Sequence, residues 1–118
     1  MNPETIIQNE ILRAIGSRDD LYIARRNVGL ARDVDTGRVV KFGVAVEADL
    51  QGVLRIGPRV GLAVALEVKT PTGRQSKAQE RWEAAWTRRG GFYRVVRSVA
   101  DAEQALLDAR AAALVEAP

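Results

Sequence analysis

The sequence contains no cysteine and no histidine. Without cysteine there is no disulfide, no thiolate zinc site and no cysteine nucleophile. Without histidine there is no imidazole metal ligand, no Ser-His triad and no imidazole general base. Any catalysis must therefore use carboxylates, lysine or hydroxyls, or a metal held by oxygen ligands, which points to Mg2+ or Mn2+. Also missing are internal repeats, a signal-peptide pattern at the N-terminus, and any apolar run approaching membrane-spanning length. The chain is accordingly expected to be cytoplasmic, with no membrane partner.

What is present suits one domain over residues 1–118, with only the last few residues expected to be disordered. Hydrophobic residues make up 47 % and charged residues 28 %, the balance of an ordinary soluble protein with one core. The net charge of +3 is unevenly spread. Arg74, Lys77, Arg81, Arg88, Arg89, Arg94 and Arg97 outnumber Glu80 and Glu83, whereas from Ser98 onward Asp101, Glu103, Asp108 and Glu116 outnumber Arg110. A basic middle with an acidic tail suggests a polyanionic partner.

The most apolar run, Gly61-Leu62-Ala63-Val64-Ala65-Leu66, reads as a buried strand and ends in Glu67-Val68-Lys69. Side chains alternate along a strand, so Glu67 and Lys69 share one face while Leu66 and Val68 point to the other. Asp49 stands where a second apolar strand begins, at Leu50-Gln51-Gly52-Val53-Leu54. If the two strands pair as a hairpin around Gly57-Pro58-Arg59-Val60-Gly61, both carboxylates and the lysine converge. Two acids and a lysine at the end of a sheet suit a divalent metal and a phosphodiester. A solvated edge pair is the competing reading of such a short pattern.

The remaining elements follow from local signals. Asn2-Pro3-Glu4 opens a helix, Ile7, Ile11, Ala14 and Ile15 form its apolar stripe, and Gly16-Ser17 ends it. Glu4 falls within that stripe and Glu10 on its border, so Glu4 either reaches a metal site or merely complements the helix dipole. Leu21 to Val28 reads as a strand. A loop then runs from Gly29 through Asp33 and Asp35, which read as solvated turn residues, to a short extended segment at 39–43. After Thr70-Pro71-Thr72-Gly73-Arg74, Ser76 caps a helix reaching about Arg89, with Ala78, Trp82, Ala85 and Trp86 as its buried face. Both tryptophans read as core. Lys77, Arg81 and Arg88 form a basic ridge on the other side, as a phosphate-contacting surface or a solvated face. Phe92 to Arg97 is a strand, and a last helix packs through Ala102, Ala105, Leu106 and Ala109.

Taken together, the order of elements and the D…ExK pattern resemble the PD-(D/E)XK nuclease superfamily, and more narrowly its stand-alone virus-type replication-repair nuclease (VRR-NUC) domain. The resemblance spans nearly the whole chain. It is carried by Glu4-x-x-Ile7-Gln8, Arg26-Asn27-Val28-Gly29, Gly43 leading to Asp49-Leu50, Glu67-Val68-Lys69-Thr70-Pro71, Gly73-Arg74, Ser76-x-x-Gln79, and Gly90-Gly91 followed by Val95-Val96-Arg97-Ser98. It implies a restriction-endonuclease-like α/β/α sandwich with a central mixed sheet of about four to five strands. It also implies an Mg2+- or Mn2+-dependent endonuclease on branched DNA such as four-way junctions or flaps, working as a homodimer. By the same resemblance Asp49, Glu67 and the Val68 carbonyl are metal ligands, joined by Glu4 or alternatively Glu10. Lys69 is then the catalytic lysine, and Gln79 supports the site. Ala48 stands where the superfamily has proline. Arg25, Arg26, Asn27, Arg74, Lys77, Arg81 and Arg88 are expected to hold DNA. A non-catalytic nucleic-acid-binding module of the same fold, and a sequence-specific restriction-type nuclease, are the alternative readings.

Overall fold

A computed structural model describes residues 2–26, 29–32, 34–42 and 47–116. In chain order the elements are α1 (Pro3–Ile15), β1 (Leu21–Arg25), β2 (Gly29–Arg32), β3 (Val39–Phe42), β4 (Leu50–Gly57), β5 (Val60–Val68), α2 (Lys77–Arg88), β6 (Phe92–Val96) and α3 (Val99–Glu116). The main sheet is mixed, in the order β1-β4-β5-β6, with β5 and β6 parallel and the other pairs antiparallel. With helices on both faces this is the α/β sandwich the sequence leads one to expect.

The hairpin turns on Pro58-Arg59. Proline sets the backbone of the first turn residue, and Arg59 takes a left-handed φ of 61°. Gly52 lets β1 lie close to β4, since a Cβ there would stand 1.8 Å from the Tyr22 carbonyl oxygen. The helix starts follow their capping residues. Asn2 Oδ1 accepts from Glu4 N–H (2.8 Å), Ser76 and Gln79 close a capping box, and Ser98 Oγ accepts from Asp101 N–H (3.1 Å).

Strand alternation divides the core into two unequal parts. Leu21, Ile23, Leu50, Leu54, Val64, Leu66, Val68 and Val96 face α1 and α3, where they meet Ile11, Ile15, Ala102, Ala105, Leu106 and Ala109. Among the described residues the opposite face buries only Ala48, Ala65, Tyr93 and the carboxyl side chain of Glu67. There Trp82, Trp86 and Val95 are half-buried. This face is left open over β1 and β4, with Tyr22 71 % and Val53 48 % exposed on the row Tyr22↔Val53↔Ala63.

Three local expectations change. β1 ends at Arg25 rather than continuing to Val28, which with Asn27 lies outside the described residues. Gly29 begins a strand and not a loop, because β2 and β3 pair as a separate two-stranded ribbon across the Gly37 turn. Asp33 and Gly43 also lie outside the described residues. Ala14 is exposed, since α1 packs through Ile11 and Ile15 against α3 and β1 with its other side in water. The helix at the end stays regular to Glu116, with Ala117 and Pro118 outside the described residues.

Candidate metal and phosphodiester site

The register of the hairpin decides the site. Leu50 pairs with Leu66, so one step outward Asp49 stands beside Glu67. Asp49 Oδ2 accepts from the Val68 backbone N–H at 2.9 Å, and the Asp49 carbonyl accepts from Arg26 N–H at 2.8 Å. These bonds fix the carboxylate at the point where β1, β4 and β5 end together.

Glu67 is 1 % exposed and its Oε1 has no hydrogen-bond partner. A buried carboxyl oxygen without a donor is uncommon, because desolvation is costly unless something compensates. Burial pushes the Glu67 carboxyl up to about 9, with the hydrogen bond and negative charge of Asp49 adding to it and the Lys69 ammonium opposing. Two carboxylates side by side with one oxygen unsatisfied are a donor set that a hard divalent cation fits.

Lys69 follows just beyond the end of β5, held by its N–H to the Val96 carbonyl (3.0 Å). Its stem runs over Gly73, where an added Cβ would lie 3.5 Å from Lys69 Cβ and Cδ. The turn beneath it is clasped by Arg97, whose Nη1 donates to the Thr70 (2.5 Å) and Gly73 (2.7 Å) carbonyls. Thus Arg97, counted by sequence among the cations facing a polyanion, is committed to holding the lysine loop.

The other expected site residues distribute as follows. Glu4 is half-buried on the stripe of Ile7 and Ile11, and Glu10 is exposed. Neither joins the pair: among the described residues no three acidic side chains come together as a metal-binding group. Helix α1 packs on the Leu66 side of the sheet, whereas Glu67 lies on the α2 side. Gln79 spends its carboxamide oxygen on Ser76 N–H (2.9 Å), in the capping box that starts α2. Arg25 donates to Asn9 Oδ1, and Arg26 forms an ion pair with Glu47 (2.8 Å). Arg74, Lys77, Arg81 and Arg88 are exposed, and none of them is in an ion pair among the described residues. Asn27 lies outside the described residues.

Sequence reasoning missed a polar cluster behind the pair. Gln75 Nε2 donates to both Glu83 Oε1 and the Tyr93 hydroxyl, each at 2.9 Å. Burial, with the nearby charges of Glu67, Glu83 and Asp49, raises the Tyr93 hydroxyl well above its ordinary value, while Gln75 opposes the shift. Tyr93 pairs with Ala65 across a parallel register. Strand alternation in Phe92-Tyr93-Arg94 was the only sequence signal for its direction.

No protein-family model and no curated protein matches this chain. The site is therefore read from its own chemistry.

Proposed function

We propose that this protein is a divalent-metal-dependent endonuclease that hydrolyses DNA phosphodiester bonds, with branched DNA such as four-way junctions or flaps as its substrate class. The observation that carries this reading is the buried, unpartnered Glu67 Oε1 beside Asp49, with Lys69 two residues on. Asp49, Glu67 and the Val68 carbonyl would hold Mg2+ or Mn2+. The ion would supply Lewis-acid polarisation of a phosphoryl oxygen and offset negative charge. Lys69 orients the attacking water or neutralises charge developing at phosphorus. Val68 N–H keeps the Asp49 carboxylate aimed, and Arg97 keeps the Lys69 loop from moving away. Arg74, Lys77, Arg81 and Arg88 supply a salt-dependent grip on the backbone.

The proposal includes a homodimer, because one chain offers one acid pair and a symmetric junction requires two matched incisions. The open sheet row of Tyr22 and Val53 offers apolar surface for such a contact. A second reading, a nucleic-acid-binding module without turnover, draws on the absence of a third acid at the pair among the described residues.

The test is incubation of the purified protein with linear, flap and four-way DNA in Mg2+, Mn2+ or EDTA. The expected outcome is metal-dependent cutting of the branched substrates, by a species of twice the chain mass. Binding without any cutting in either metal would replace this reading with the second one.

A further inference from the structure

The thin cover of the α2 face leaves a groove that the proposed chemistry does not use. It encloses about 420 Å³ and is lined by Ala63, Trp82, Ala85, Trp86, Arg89 and Gly91. That volume lies within the ordinary range for small-molecule sites, about 300–1,000 Å³.

Its aromatic wall is held in place. The Trp86 ring lies against Gly91, where a Cβ would be 2.3 Å from Nε1. The same Nε1–H donates to the Phe92 carbonyl at 3.0 Å. Trp82 stacks on Trp86, with centroids 4.9 Å apart and planes 19° from parallel. No residue of α2 is fully buried, so both indoles keep surface open to the groove.

The rim is cationic. Arg89 lines the groove, with Nη1 donating to the Ala85 carbonyl. Arg81 and Arg88, expected from the sequence on the other side of α2, do not line the groove, but they stand four residues before and three after Ala85 and so adjoin its edge. Both are exposed, and among the described residues neither is in an ion pair and no carboxylate lines the groove. Flat aromatic surface bordered by arginines matches one chemistry well: a base whose face stacks on indole and whose phosphates meet guanidinium. Trp82 also leans on Tyr93, with centroids 6.0 Å apart, and Tyr93 pairs with Ala65, two residues before Glu67 on β5.

We propose that the Trp82–Trp86 groove is a stacking subsite for an unpaired nucleobase, with the strand's phosphates running along Arg81 and Arg88. The inference rests on the nucleic-acid part of the reading above, not on cleavage. A continuous duplex offers no free base face, whereas a single strand or the open centre of a branch does.

The test compares a labelled thymidine oligonucleotide with an abasic strand of the same length, both bound to the full chain in EDTA and read by anisotropy. The wild type is expected to bind the thymidine strand about 5- to 150-fold more tightly than the abasic strand, the range for stacking of one base. Trp82→Leu should abolish that preference while keeping the affinity for the abasic strand, and Trp82→Phe should restore most of it. Trp82 is chosen because losing Trp86 also strips the Phe92 carbonyl of its donor. Should Trp82→Leu fail to fold, the wild-type comparison of the two strands decides alone. Equal binding of both strands by the wild type, or a preference that survives in folded Trp82→Leu, overturns the subsite and leaves the nucleic-acid reading intact. Failure to bind either strand overturns that reading, and the subsite with it. A change of solution mass in Trp82→Leu without any base preference would make the groove a contact between copies and overturn the proposal.

Discussion

Leu66 and Glu67 are neighbours on β5 and both are buried, yet they belong to halves of the molecule that do different things. Leu66 points into a closely packed apolar layer under α1 and α3. Glu67 points toward α2, into a layer of small side chains, half-open tryptophans and unsatisfied polarity. The first face supplies the stability. The second tolerates a carboxyl oxygen without a donor because the first keeps the strands in register. A thin protein layer can thus carry groups that fold poorly on their own, provided the other layer over-determines the backbone.

The sharpest way to break the comparison is to substitute those two neighbours separately. Glu67→Gln should lower metal-dependent DNA cleavage by about 10²-fold or more, with a thermal midpoint equal to or above the parent. Leu66→Ala should cost about 2–5 kcal/mol in denaturant unfolding, the range for a buried leucine. If Glu67→Gln cut DNA at the parental rate, the acid pair would not be the reacting centre.

Next in size is the close approach of β1 to β4. Gly52→Ala forces a Cβ onto the Tyr22 carbonyl, and the strands must separate at a cost of about 1–3 kcal/mol, read by urea unfolding. Ala84→Gly, on the exposed side of α2, should cost only about 1 kcal/mol, the helix-propensity difference.

The cations divide in the same way. Arg97→Ala removes two hydrogen bonds to loop carbonyls and should destabilise by about 1–3 kcal/mol, with slower cleavage as Lys69 loses its support. Arg88→Ala should leave stability within about 0.5 kcal/mol. It should instead reduce the salt slope of DNA binding by about 1. Equal salt slopes for Arg88→Ala and the parent would remove the α2 ridge from the DNA-binding surface.

The effect confined to the narrowest range of conditions concerns pH. Asp20 is held down at about 2 by its hydrogen bond to Arg18 and by Arg110 of α3, against some burial. Its folded value lies below the ordinary 3.8, so its contribution is present above that value and is lost as pH falls from there through about 2. After screening this amounts to about 1 kcal/mol. Asp20→Asn should flatten acid unfolding in that window, and an unchanged profile would show that the Arg18–Asp20–Arg110 cluster contributes nothing.

The fold was largely legible in the chain because its signals are local: Asn2 and Ser76 as caps, Ile11 and Ile15 at helical spacing, the apolar run from Gly61 to Leu66, and the turn at Pro58-Arg59. Alternation also placed Glu67 and Lys69 on one face and Leu66 on the other. Hairpin pairing brought Asp49 to Glu67, as that pattern implies. Three things were not local. The strand β2 exists through its pairing with β3, which nothing within Gly29–Arg32 announces. The commitments of Arg26, Arg94 and Arg97 to Glu47, Asp108 and the Thr70–Gly73 turn depend on what lies opposite each guanidinium. A charge count cannot separate those cations from the free ones. And the tryptophans of α2 read as core by spacing, because a helical wheel tells which side faces the sheet but not how much sheet is there to cover it. Residue order determined which groups share a face. Only tertiary packing, which sets the distance and coverage between layers, decided that one face closed and the other stayed open.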